Sequence, residues 1–204
     1  TAVLYRSNAQ SRALEEALLR VSIPYRIYGG LRFYERLEIK NAIAYLKIIF
    51  NNKDNPSFER SISNPTRGVG EKTLGKIRQA AKKFNISYIK ASAKLIDEGS
   101  IGGRGGAGLK DYLEFIIGCK QFIEDNTLSE LMELIIKESG LYAYHAKEAG
   151  EKGKTRTENL EELITATKNF EQSIKDEKTN AEIAESYLDV ISLDSGDRQA
   201  SEHD

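Results

Sequence analysis

One cysteine, two histidines, three prolines and no tryptophan occur in the 204 residues. A lone thiol, Cys119, excludes an internal disulfide framework and any cysteine-based zinc centre, and His145 and His203 are too few to replace it. So few prolines argue against a loop-dominated fold and for long helices, because an interior proline breaks a helix. No apolar run approaches the roughly 18 residues of a membrane span, and no secretory pattern opens the sequence. The expectation is therefore a cytoplasmic protein without a membrane partner. Net charge is nearly absent too, at −1, which argues against a chain coated end to end by nucleic acid.

What is present is a polar helical composition, 40% hydrophobic and 30% charged. This length suits one sizeable domain or two small ones, able to bury about 70% of the unfolded surface. The charge is unevenly spread. Arg60, Arg67, Lys72, Lys76, Arg78, Lys82 and Lys83 fall close together with only Glu71 among them, whereas the stretch from Glu171 onward is dominated by Glu and Asp. A basic segment inside a neutral chain fits a local anionic partner, and it equally fits a solvated helix face.

The opening residues Ala2-Val3-Leu4-Tyr5 read as a strand cut from something longer. A helix capped near Ser7-Asn8 follows, with Leu14, Ala17, Leu18 and Val21 at helical spacing. Pro24 ends it, and Tyr25-Arg26-Ile27-Tyr28 reads as a second short strand closed by Gly29-Gly30. One strand-helix-strand unit cannot cover its own sheet, so residues 1–28 look like the edge of a neighbouring domain. From Arg32 the pattern is helical, with Ile39, Ala42, Ile43, Leu46, Ile49 and Phe50 striping a helix to about residue 51. Further helices are predicted from Pro56 to Ile62, from Glu71, and over 87–97, 107–123, 127–139, 156–171 and 180–192. Asp194–Asp204 is predicted to fray. The expected fold class is mainly α with a short α/β stump.

Three glycine patterns carry different weight. Gly103-Arg104-Gly105-Gly106-Ala107-Gly108 matches G-x-G-x-x-G but lacks the preceding strand of a dinucleotide site, and it reads as a flexible interhelical loop. Gly153-Lys154-Thr155 echoes the end of a phosphate loop, yet Glu148 stands where the earlier glycine is required. No ATP hydrolysis follows from this chain alone. The third pattern, Arg67-Gly68-Val69-Gly70-Glu71-Lys72-Thr73, runs a turn into a helix N-terminus. First-turn amides and the helix dipole favour an anion there, Thr73 adds a hydroxyl, and Arg67, Lys72 and Lys76 add charge. A plain turn between two helices fits the same residues. Arg32-Phe33-Tyr34-Glu35-Arg36 with Lys40 is a second basic-aromatic cluster, whose aromatics read as core anchors and whose Lys40 reads as a phosphate contact. Tyr142, Tyr144 and His145 are expected to pack or to lie exposed at a helix end, and the histidines form no catalytic pair.

Several blocks together resemble the UvrD/Rep/PcrA helicases of superfamily 1. They are Tyr5-Arg6-Ser7-Asn8-Ala9-Gln10-Ser11-Arg12, Pro24 to Gly30, Phe33 to Arg36 with Glu38-Ile39-Lys40, Asn64 to Leu74, and Glu158 to Leu163. The resemblance implies that residues 1–28 end the first segment of the RecA-like motor subdomain 2A. It implies that residues 29–193 form the helical accessory subdomain 2B, with a helix-hairpin-helix-like turn, and that 194–204 is a polar tail. It further implies a parent that uses ATP and Mg²⁺ to unwind DNA 3′→5′ in repair or replication, with no cofactor, metal or catalytic residue in this segment. The implied partners are double-stranded DNA, single/double-strand junctions, the parent's motor domains and repair proteins. Matched by position, Gly68, Gly70, Thr73 and Lys40 would meet duplex phosphate and Arg6 the single strand, while Arg67, Val69, Lys72 and Lys76 complete the expected site. A different reading is a regulatory docking or autoinhibitory swivel module that binds DNA only marginally.

Overall fold

The computed structural model describes residues 3–5, 10–25, 33–174 and 178–201. These form ten α-helices and one 3₁₀ turn: α1 Ser11–Arg20, the turn Phe33–Glu35, α2 Leu37–Phe50, α3 Asn55–Ser63, α4 Glu71–Phe84, α5 Tyr88–Asp97, α6 Gly103–Asp125, α7 Leu128–Glu138, α8 Leu141–Ala146, α9 Glu151–Ser173 and α10 Asn180–Ser201. The chain divides into two compact units, one of Thr1–Lys40 with Tyr142–Asp204 and the other of Asn41–Leu141. Among the described residues no helix is long and apolar enough to cross a membrane.

Local chemistry sets several helix ends. Asp54 caps α3 by accepting from the Ser57 amide at 3.0 Å, with Pro56 in the first turn, where its missing N–H costs nothing. Thr127 and Glu130 close a reciprocal capping box on α7. Asn85 ends α4 in the left-handed region, and its amide bonds back to the Ala81 carbonyl.

Four expectations change. Val3–Tyr5, and Tyr25 of the second expected strand, are not in strands, and no strand occurs among the described residues. Of the expected strand-helix-strand unit only α1 is present there, because a strand without a ladder partner leaves its amides unpaired; Ala2 and residues 26–28 lie outside the described residues. The 103–108 glycine run is not a loop but the first turns of α6. α9 begins at Glu151, ahead of the expected start at 156. α10 continues to Ser201, past Asp194 where fraying was expected.

In the Asn41–Leu141 unit, the predicted stripe of α2 widens into burial almost all round. Asn41, Ala44, Tyr45 and Ile48 are buried along with Ala42, Ile43, Leu46 and Ile49 of the stripe, while Phe50 is half-buried. Phe58, Ile62, Leu74, Ile77, Leu109, Tyr112, Leu131 and Ile135 complete that core. Its aromatic centre is satisfied at the polar ends. The Tyr45 hydroxyl donates to the Ser61 carbonyl at 2.6 Å, and Tyr112 Oη lies 2.6 Å from Ser61 Oγ. Burial pushes the Tyr45 phenol up to about 12.

The other unit is pinned by buried polar groups. Arg12 of α1 donates to Glu162 at 2.5 Å, and Glu15 accepts from the Phe33 amide at 3.2 Å. Arg36 donates to Asn159 at 2.9 Å and to Ser11 at 2.7 Å, while Asn159 donates to Glu38 at 2.6 Å. Such a network is favourable only when every member finds a partner, so it fixes which faces of α1, α2 and α9 meet.

Candidate nucleic-acid interface

The turn between α3 and α4 is assembled from the inside outward. Arg67 points inward, donating to the carbonyls of Ser61 at 3.2 Å, Pro65 at 3.0 Å and Ser139 at 2.8 Å. Its guanidinium also lies over the Tyr45 and Tyr112 rings, 5.6 Å from each centroid. One of these carbonyls lies in the last turn of α3, one just beyond it and one at the end of α7, so a single guanidinium ties the two helix ends together. Arg67 was expected among the phosphate contacts; its planar head is instead committed to the fold. Val69 also turns its side chain inward and is buried.

Gly68 then takes φ +74°, a conformation in which a side chain would be strained. Gly70 is the N-cap of α4 and supplies no capping side chain. The Thr73 and Leu74 amides bond to the Gly70 carbonyl at 2.9 and 3.0 Å. The Glu71 and Lys72 amides are therefore the first-turn donors for which the helix provides no acceptor. Gly68, Gly70, Glu71 and Lys72 are all exposed, and Thr73 is half-buried.

The start of α6 lies directly against this turn. A Cβ on Gly108 would sit 2.0 Å from the Arg67 carbonyl oxygen, and one on Gly105 would sit 3.1 Å from the Gly68 oxygen and 3.5 Å from Thr73 Oγ1. Glycine is therefore required for close backbone approach. Arg104, immediately before Gly105, is exposed, and its Cγ would lie 2.9 Å from a Cβ on Gly68. Its stem thus covers the turn and sets a cation beside it. The sequence reading passed over Arg104 because its glycine neighbours suggested a loop; the signal that could have found it was the helical spacing of Leu109, Tyr112, Leu113 and Ile116 immediately downstream.

Other expected residues are placed as follows. Lys72 and Lys76 are exposed on α4, and Lys76 Nζ donates to the Ser100 carbonyl at 2.8 Å, leaving further N–H directions open. Lys40 is exposed on α2. Arg6 lies outside the described residues. Glu71, the acidic residue of the basic segment, is paired with Arg78, which also forks onto Glu59 at 2.6 and 2.7 Å. Hydrogen bonds from Glu59 first and Glu71 second push the Arg78 guanidinium further toward its charged form.

A separate polar cluster surrounds α8, a helix that periodicity did not reveal. His145 is buried, with Nδ1 donating to Glu148 at 2.6 Å, and Arg156 donates to the same carboxylate at 2.5 Å. These donors, His145 foremost, hold the Glu148 carboxyl below its ordinary range against the opposing effect of desolvation. Among the described residues no group of His, Cys, Asp and Glu is placed to hold a metal.

Residues 1–99 match the UvrD-like helicase C-terminal domain. Over 199 residues the chain is 45% identical to DNA helicase II of Escherichia coli (strain K12), covering 98% of this chain and 27% of that protein. Identity to DNA helicase II of Haemophilus influenzae is 45%, covering 99% of this chain and 28% of the relative. Identity to the ATP-dependent DNA helicase PcrA of Bacillus subtilis is 33%, covering 100% and 28%. The chain therefore spans little more than a quarter of the length of these relatives. The class so defined is that of the UvrD-like DNA helicases. Within it, the chain is a segment of a UvrD/PcrA-type superfamily 1 helicase.

Proposed function

We propose that this chain is the accessory 2B subdomain of an ATP-dependent 3′→5′ DNA helicase, with the end of a first 2A segment before it, and that it grips duplex DNA through phosphates without reading sequence. The observation that carries the reading is the exposed Gly68–Thr73 turn, where uncapped amides of α4 meet the cations Lys72, Lys76 and Arg104. Amides and cations arranged in this way hold a phosphate and ignore the bases. Lys40 supplies a further duplex contact, Gly68, Gly70 and Thr73 the backbone and hydroxyl contacts, and Arg67 the internal brace of the turn. Arg6 belongs to the motor-domain part of this reading.

The phosphate-loop echo at Gly153-Lys154-Thr155 offers no nucleotide site. Gly153-Lys154-Thr155 lies inside α9, where a Cβ on Gly153 would meet the Glu148 carbonyl oxygen at 2.3 Å. That glycine serves packing rather than a phosphate loop. Nucleotide chemistry is accordingly assigned to the rest of the parent.

With about three to five phosphates neutralised, log K should fall against log[salt] with a slope of roughly −3 to −4.5, and Kd should lie near 10⁻⁴ to 10⁻⁶ M. Fluorescence titration of the chain with a labelled hairpin duplex tests this. Lys40→Ala with Thr73→Ala should weaken binding equally on unrelated sequences and reduce the salt slope by about one. Unchanged affinity and slope in that double variant would remove the site. No duplex binding even at low salt would favour the docking-module reading instead.

A further inference from the structure

Glu71 is the feature of the turn least suited to a phosphate, since its carboxylate belongs to the first residue of α4, beside the amides that the proposed function assigns to DNA. Its position is controlled by an arginine two turns further along. Arg78 lies seven residues on, about 10 Å of helix rise, and long helical side chains lean toward the N-terminus. Arg78 therefore reaches back along the α4 surface. Glu59 of α3 fixes it with a two-pronged pair, Nε to Oε1 at 2.6 Å and Nη2 to Oε2 at 2.7 Å. The remaining nitrogen, Nη1, is left to bind the Glu71 carboxylate. Glu71 is thus drawn down the helix, away from its own first-turn amides, and compensated in charge. It would otherwise be the nearest competitor for those amides, because a carboxylate at a helix start is attracted to them as a phosphate is.

We propose that the Glu59–Arg78–Glu71 chain is a carboxylate clamp that keeps the Gly68–Thr73 turn open to DNA phosphate, with Arg78 as a positioning residue that does not itself touch DNA. The proposal rests on the reading of the turn as a duplex-phosphate grip. The clamp depends on the planar fork of arginine: lysine preserves the charge but cannot hold Glu59 in two bonds and Glu71 in a third.

The test uses the full 204-residue chain and a fluorescent hairpin duplex at low salt, with thermal melts recorded alongside. Exposed ion pairs contribute little to stability, so the melts should barely move. Arg78→Lys should weaken duplex binding about threefold, the effect of one uncompensated charge several ångströms from a phosphate in a water-like dielectric. Glu71→Gln should tighten binding or leave it unchanged, and in the Glu71→Gln background Arg78→Lys should have no further effect. That loss of sensitivity is the signature of action through Glu71. Wild-type affinity in Arg78→Lys, or an equal loss with and without the Glu71 charge, would overturn the clamp while leaving the DNA grip intact. Failure of the wild-type chain to bind duplex would overturn the grip itself, and the clamp with it.

Discussion

Gly108→Ala puts a single methyl group where α6 meets the turn, and the structure supplies the numbers to judge it. The added Cβ would stand 2.0 Å from the Arg67 carbonyl oxygen, whereas ordinary contact begins near 3.4 Å. Helix and turn must therefore separate by about 1.4 Å. The obstacle is backbone on a brace held by three hydrogen bonds, so it cannot rotate away as a side chain could. Overpacking of this kind costs about 3 kcal/mol, from which the better helix propensity of alanine recovers about 1 kcal/mol. A net loss of about 2 kcal/mol lowers Tm by roughly 4–8 °C in a protein of this size. Gly118 provides the control on the same helix, since a Cβ there meets nothing within 4 Å. Gly118→Ala should gain about 0.5–1 kcal/mol and raise Tm by roughly 1–4 °C. Thermal and urea unfolding followed by circular dichroism measures both variants. If Gly108→Ala melted at or above wild type, the close approach of α6 to the turn would be wrong, and the placement of Arg104 with it.

The remaining predictions concern buried charge. Arg67→Ala leaves three carbonyls and two aromatic faces without their cation, and should cost about 3 kcal/mol by urea unfolding. In its folded population the salt slope of duplex binding should match wild type; a slope shallower by about one would return Arg67 to the phosphate contacts. Glu148→Gln tests the depressed carboxyl beside His145 and Arg156. A carboxyl held low in the folded state adds stability above its unfolded pKa of about 4.3, and that stability is lost as pH falls through the folded value. The variant should therefore unfold at lower urea than wild type at neutral pH, with the gap closing on acidification below about pH 4. A gap that stayed constant down to pH 3 would contradict the assignment.

Local chemistry made a good part of the fold legible in the sequence. The helix start after Gly70, the one after Asp54 and Pro56, and the helix over 127–139 all follow from residues within four positions of each boundary. The run of family blocks likewise carries the resemblance to the UvrD/Rep/PcrA helicases in the sequence itself. The strand expected at the start was read from the apolar run Ala2-Val3-Leu4-Tyr5, but a strand needs a partner, and an apolar run does not say whether one is present.

Tertiary structure alone decided which charges face outward and why the glycines are where they are. Arg67 and Arg104 look alike in the sequence, each a cation beside glycine. The first is drawn in by the Ser139 carbonyl, 72 residues away, and the second is left out because its helix presses a glycine face against the turn. Asn159 reached the interior by the same route, through Arg36 and Glu38, 123 and 121 residues away. Sequence periodicity reports neighbours three or four residues apart, whereas the free energy of burying a charge or a bare helix end depends on groups that only the folded chain brings near.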